Sequence, residues 1–312
     1  MVDTAVKGSS GLRGGATRGA RYKLMLVTAA LIWGGSFVVL KTSLDVLTPS
    51  WLLGIRFVLS GLVMTLLFFR HMKPYLNRSH LLAGAWLGLS GGLAYLIQNL
   101  GLVDTTPGHN AFLTATYCVM VPFMHWIVTR KRPSLANVAA AIMAVVGIGV
   151  LSLGGSDPFS LRWGDWMTLG GAVWFAVQIE VMVAVAPGRD VLTMTVVEFF
   201  VMGFVNLAYA LLFEPVPALS TFASLELWAQ LAYLVLLSSC VCTLFQNIGQ
   251  AHVPPAQASL LLSLESVFGV AFSVLLYGEP LTLQLAGGFA LVFGAILLSE
   301  LAPARKKSLP QA

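Results

Sequence analysis

Trp33, Trp174, Tyr117 and Glu265 each fall near the middle of a long hydrophobic stretch, where polar chemistry is expensive. They form two pairs at fixed spacing: Trp33 with Trp174 at 141 positions, and Tyr117 with Glu265 at 148. An indole or phenol at that depth needs a polar partner or a cavity; packing against lipid or a neighbouring helix is the competing reading. A carboxylate there costs at least about 2.5 kcal/mol on insertion scales, so Glu265 must face a bundle interior or water. It is a candidate solute contact, a candidate proton site, or a structural acid bonded to a neighbouring helix.

Further polar side chains recur at helical spacing. Asn110, Thr114 and Tyr117 make one stripe, with Ser36 beside Trp33 on another stretch. Tyr95 and Gln98 continue a face begun by Gly84, Gly88 and Gly91, where the glycines read as packing residues. Trp174 shares a face with Gln178, and Ser239 and Cys242 share one with Gln246. Gln98-Asn99 repeats as Gln246-Asn247, placed toward opposite ends of their stretches, which makes Asn99 and Asn247 candidate gates. The plainer reading is interhelical hydrogen bonding, worth about 0.6 kcal/mol each. Lys41 and Arg56 would attract a carboxylate or snorkel to headgroups. Together these types suit reversible binding of a small amphipathic molecule.

Covalent chemistry finds little support. Gly88-Leu89-Ser90-Gly91 matches the GxSG pattern of intramembrane serine proteases, which need a histidine to take the serine proton. His125 alone lies well inside a later stretch, and its repeat counterpart is Ser273. Glu180 and Glu198 read as structural partners of Arg189. Cys118, Cys240 and Cys242 lie in apolar runs without metal spacing, and no phosphate-binding G-x-x-x-x-G-K-[ST] loop occurs, so no cofactor or metal is expected.

The elements that position these residues follow from composition. The 312 residues are 57% hydrophobic and 10% charged, against about 25% charged in soluble domains. About 20 apolar residues span a bilayer core. Ten stretches approach that length: 22–42, 50–70, 79–102, 107–129, 134–153, 162–185, 191–213, 224–248, 254–277 and 281–301. Residues 1–21 and 303–312 read as basic tails, the first disordered; a retained first helix is preferred to a signal peptide. At offset 148, Gly101 meets Gly249, Pro107 meets Pro255 and Val119 meets Val267; Phe57 and Gly61 meet Phe199 and Gly203 at 142. The chain is therefore one unit written twice, over 22–153 and 162–302.

Charge fixes the expected orientation. Of 18 Lys and Arg, only Arg162 falls in an outer loop and Lys41 and Arg56 inside helices, if both termini are cytoplasmic. Basic clusters between spans mark membrane faces and give no nucleic-acid signal. Five helices per copy is an odd number, so the second copy enters the membrane inverted. Arg130-Lys131-Arg132 corresponds to Gly278-Glu279-Pro280, a basic inner segment against an acidic outer one.

These features resemble the EamA branch of the drug/metabolite transporter superfamily. Trp33-Gly34-Gly35-Ser36-Phe37 with Lys41, Arg56-Phe57, and Leu264-Glu265-Ser266-Val267-Phe268 before Gly278-Glu279-Pro280-Leu281-Thr282 carry the likeness, in order, across about residues 22–302. The chain departs where Ser266 and Cys118 stand in place of prolines, leaving Pro122 to kink its helix. The resemblance implies a ten-helix carrier with a central cavity, usually exporting small metabolites or amino acids. Aromatic or neutral amino acids are the first expectation, with nucleosides, sugar derivatives and cationic drugs open, protons as a possible partner, and a monomer in the inner membrane. Cysteines placed singly at 131 and 279 should label from opposite sides of the membrane; labelling from one side would refute the inverted reading.

Overall fold

A computed structural model of the chain describes residues 8–130, 132–152, 161–253 and 255–301. The tails at 1–7 and 302–312, Lys131 and the link between repeats lie outside the described residues. Among the described residues every regular element is helical. Eight helices are long and apolar enough to cross a membrane, and Leu135–Val150 and Leu283–Leu298 are shorter apolar helices.

The first repeat holds α1 (Gly8–Ser43), α2 (Pro49–Met72), α3 (Arg78–Asp104), a column made of α4 (Pro107–Thr114) and α5 (Tyr117–Thr129), and α6 (Leu135–Ser152). The second holds α7 (Trp163–Val185), α8 (Val191–Phe213), a column of α9 (Leu225–Ala232), a π-helical segment (Tyr233–Val241) and α10 (Cys242–His252), then α11 (Pro255–Phe272) and α12 (Leu283–Leu301). A second π segment, Ser273–Tyr277, closes α11. α1 thus begins upstream of residue 22, where the sequence reading starts it. Sequence punctuation explains several starts: Pro49 and Pro107 open α2 and α4, and Asn77, Thr106 and Asp190 cap α3, α4 and α8 through their side-chain oxygens.

The principal helix packings are α1 on α11, α2 on α8, α3 on α7 and α8, and α6 on α12. Exchanging the two repeats preserves part of this pattern: α2–α8 and α6–α12 pair equivalent helices, and α3–α7 exchanges with α10–α1. The equivalent helices α2 and α8 run in opposite senses. Thr48, before α2, bonds Glu214, after α8, at 2.6 Å, while His71 at the far end of α2 meets Asp190 before α8 at 3.0 Å. The helix-ending residues Arg130 and Gly278, equivalent at offset 148, both adopt left-handed φ, 60° and 76°. Gly278 does so without strain, whereas Arg130 carries a side chain in this conformation.

The column that contains Pro122 is irregular upstream of the proline. The column breaks at Ala115–Thr116, where the Thr116 and Cys118 amides reach only three residues back, to Leu113 and Ala115; Pro122 sits inside α5. The break is a tightened 3₁₀-like turn.

Close approach fixes the wall around the mid-depth residues. A Cβ built at Gly34 would lie 2.4 Å from the Phe268 Cβ of α11. Gly34→Val should therefore push α1 from α11 and destabilise the protein by about 1–3 kcal/mol. A depressed thermal midpoint in detergent would show this; an unchanged one would contradict the packing.

Candidate functional site

A small cavity of about 30 Å³ lies where α1, α2, α3, α4, α5, α7, α10 and α11 meet. Nine of the residues expected from sequence line it: Trp33, Ser36, Arg56, Tyr95, Gln98, Thr114, Tyr117, Gln246 and Glu265. Phe37, Leu40, Phe175 and Ile179 supply the apolar remainder.

Helical periodicity explains this convergence. α3 turns Tyr95 and Gln98 to one side, and Gln98 donates to the Thr114 hydroxyl at 2.8 Å, joining α3 to α4. Tyr95 stands edge-on to Phe57 and to Phe175, with centroids 5.2 and 5.0 Å apart. Tyr117 lies beside Phe175 on one side and Glu265 on the other. The Trp33 indole N–H donates to the Ser238 carbonyl at 2.7 Å. That carbonyl belongs to the π segment, where the Cys242 amide bonds Leu237 and Ser239 instead. A mid-depth tryptophan and an irregular helical turn thus satisfy one another.

Arg56 is the chemically exceptional member. Its side chain is 1% exposed. Nε donates to the Ser239 hydroxyl at 2.7 Å and one terminal nitrogen to the Ser238 hydroxyl at 3.0 Å. The other terminal nitrogen, Nη1, has no hydrogen-bond partner among the described residues. The guanidinium lies over the rings of Phe57 and Tyr95, at 5.0 and 5.6 Å. Among the described residues, ion pairs to Asp or Glu come only from histidines. Arg56 therefore carries buried positive charge with hydroxyl and aromatic partners but no carboxylate, and Glu265, 6% exposed, shares its pocket.

Four expected residues lie outside the lining. Trp174 is half-buried; α7 presents Phe175 and Ile179 to the pocket, and residue 174 lies about 100° around the helix from 175. Lys41 reaches the Leu102 and Val103 carbonyls at 2.7 and 2.9 Å, capping the end of α3. Asn110 ties α4 to α3 and α7 through the Gln98 carbonyl and the Thr168 hydroxyl. Gln178 donates to Glu198 at 2.6 Å. Of the amide pair assigned to gating, Asn99 donates to the Tyr95 carbonyl on its own helix, and Asn247 donates to Thr195 and Glu198.

Two readings from sequence are corrected. Glu198 does not meet Arg189, which bonds the Ser79 hydroxyl and the Val185 carbonyl; Glu180 pairs instead with His125 at 3.1 Å. Ser90 donates to the Trp86 and Leu87 carbonyls of its own helix, and His125 faces Glu180, so the serine–histidine geometry of a protease is not formed.

A pocket at mid-depth, walled by both copies of a duplicated helical unit, is the anatomy of a membrane carrier. The two halves, residues 21–153 and 162–301, each match the EamA-like transporter family. The chain belongs to that family. It is a multi-pass membrane transporter. It is 28% identical over 277 residues to an uncharacterized transporter of Archaeoglobus fulgidus, covering 88% of this chain and 85% of that protein. It is 22% identical to the uncharacterized transporter YoaV of Bacillus subtilis, covering 91% and 98%. A solved crystal structure superposes with a TM-score of 0.66 at 17% identity, over 90% of this chain and 97% of that one, which shows the shared fold.

Trp33→Phe keeps the ring and removes the donor, leaving the Ser238 carbonyl short of a partner. A loss of about 1–3 kcal/mol is expected, read as a lower thermal midpoint. An unchanged midpoint would show that this bond does not hold the π segment.

Proposed function

We propose that the chain is an alternating-access carrier that exports small zwitterionic metabolites, aromatic or neutral amino acids first among them. Ten spans in two inverted five-helix repeats sit in the cell inner membrane with both termini cytoplasmic. The basic residues concentrated between spans support that orientation. The opposed senses of α2 and α8 support the inversion.

The observation that carries the substrate reading is the unpartnered Nη1 of Arg56. A buried charge without a counter-charge is strongly unfavourable, and a carboxylate placed against Nη1 supplies both the missing acceptor and the missing charge. Glu265 lies across the same pocket to receive an ammonium group. Trp33, Tyr95, Tyr117 and Phe175 give the side chain an aromatic bed, and Gln98, Thr114, Ser36 and Gln246 offer neutral hydrogen bonds. Internal duplication supplies two halves in one chain, so a monomer suffices.

Uptake into proteoliposomes by a panel of amino acids, nucleosides, sugars and organic cations tests this. Neutral aromatic amino acids should be carried, and their decarboxylated amines should compete at least about tenfold less well, the equivalent of one lost charged contact of about 1.4 kcal/mol. Arg56→Gln should remove that discrimination and Arg56→Lys should keep part of it. Equal transport of acid and amine by the unaltered protein would contradict carboxylate recognition. A carrier of nucleosides or cationic drugs would show itself in the same panel.

A further inference from the structure

Glu198 is a second buried carboxylate, outside the pocket, and the solute reading gives it no work. It is fully buried in α8. Oε1 accepts from Gln178 of α7 at 2.6 Å, and Oε2 from Asn247 of α10 at 2.7 Å. Asn247 also donates to Thr195, one turn earlier on α8, at 2.9 Å. Among the described residues no cation closes this cluster, since Arg189 is engaged elsewhere. An intramembrane carboxylate held only by neutral donors is costly to keep ionised, and such residues commonly mark ion or proton pathways.

Two independent features single out the position. First, Glu198 is the repeat counterpart of Arg56 at offset 142, and the residues that follow them, Phe57 and Phe199, stack at 6.2 Å. The duplicated unit thus carries a cation in one copy and an anion in the other, both buried and neither matched by an opposite charge. Second, an open groove of about 630 Å³ lies at the end of the molecule assigned to the inner face. It is framed by Val183 of α7, Val191 of α8 and Gln250 and Ala251 of α10, the same three helices that hold the cluster. Gln178, Glu198 and Asn247 lie one or two turns further in along each. On the other side the cluster abuts the pocket wall, because Gln178 adjoins Ile179 and Asn247 adjoins Gln246.

We propose that Glu198 is a proton-binding site, separate from the solute pocket, which exchanges protons through the inner groove and couples their movement to that of solute. The carboxylate takes one proton from hydronium and returns it to water, with no other bond changed. The amides of Gln178 and Asn247 hold the ionised form, and displacement of α7 or α10 as the carrier changes access withdraws them and favours the acid. The titratable groups near it are few: α3 brings Tyr95 within electrostatic reach, α2 and α11 hold Arg56 and Glu265 on the pocket side, and α7 and α10 face it with amides only, their Glu180 and His252 bonding His125 and the Ile248 carbonyl. Arg189 and His252 line the groove mouth.

This rests on the carrier reading and is tested apart from it in proteoliposomes, using an amino acid that the transport panel shows to be carried. With one proton per solute, an imposed pH gradient should drive about tenfold accumulation per pH unit. Glu198→Gln should keep downhill exchange while its accumulation ratio falls to about one, and Glu198→Asp should restore the drive. A wild type that exchanges solute but ignores the gradient overturns this proposal and spares the carrier; a transport panel in which nothing is carried overturns both. Gradient-driven accumulation that persists in Glu198→Gln also overturns it. If that variant loses all transport, hydrophobic carbodiimide, which attacks protonated buried carboxyls, decides on the wild type: a mass-mapped adduct on residue 198 that declines as pH rises supports the site, and no adduct at any pH overturns it.

Discussion

A guanidinium enclosed by helices, with no carboxylate beside it, is the constraint around which the rest of the structure is organised. Arg56 cannot be left bare in a low-dielectric interior. The fold answers with two serine hydroxyls from an irregular helical turn and two aromatic faces, and one terminal nitrogen still lacks an acceptor. A hydrophobic residue would pack the same space more stably.

Duplication explains how such a site comes to be walled on all sides. The pairing of equivalent helices α2 with α8 and α6 with α12 joins the two copies into one bundle. The symmetry is kept in the backbone, as the matched left-handed turns at Arg130 and Gly278 show, and broken in the side chains. Tyr117 faces Glu265, and Arg56 corresponds to Glu198, so one scaffold holds charges of opposite sign at related positions. Small residues make this possible: the Gly34 contact with Phe268 brings α1 and α11 close enough for both to share the pocket.

The apolar stretches, their duplication and most pocket residues were legible in the sequence because each depends on local period or on the cost of polarity in lipid. Glu265, Arg56, Tyr95 and Gln98 were found in this way. What escaped depends on tertiary detail. Phe175 rather than Trp174 faces the pocket, a matter of one helical step that a repeat alignment does not resolve. The π segment at 233–241 is fixed by its bonds to α1 from Trp33 and Tyr233, not by its own composition. Glu198 read as a structural partner of Arg189, a pairing that sequence alone could not test. Its alignment with Arg56, flanked by matching Phe and Gly positions, was the signal that would have placed it inside.

The most direct test of the account is a structure of the protein with a neutral aromatic amino acid bound. It should show the carboxylate within about 2.7–3.2 Å of Arg56 Nη1 and the ammonium turned toward Glu265. An amino acid seated elsewhere, or an Arg56 side chain swung onto Glu265 or Glu198 to form an internal ion pair, would contradict it.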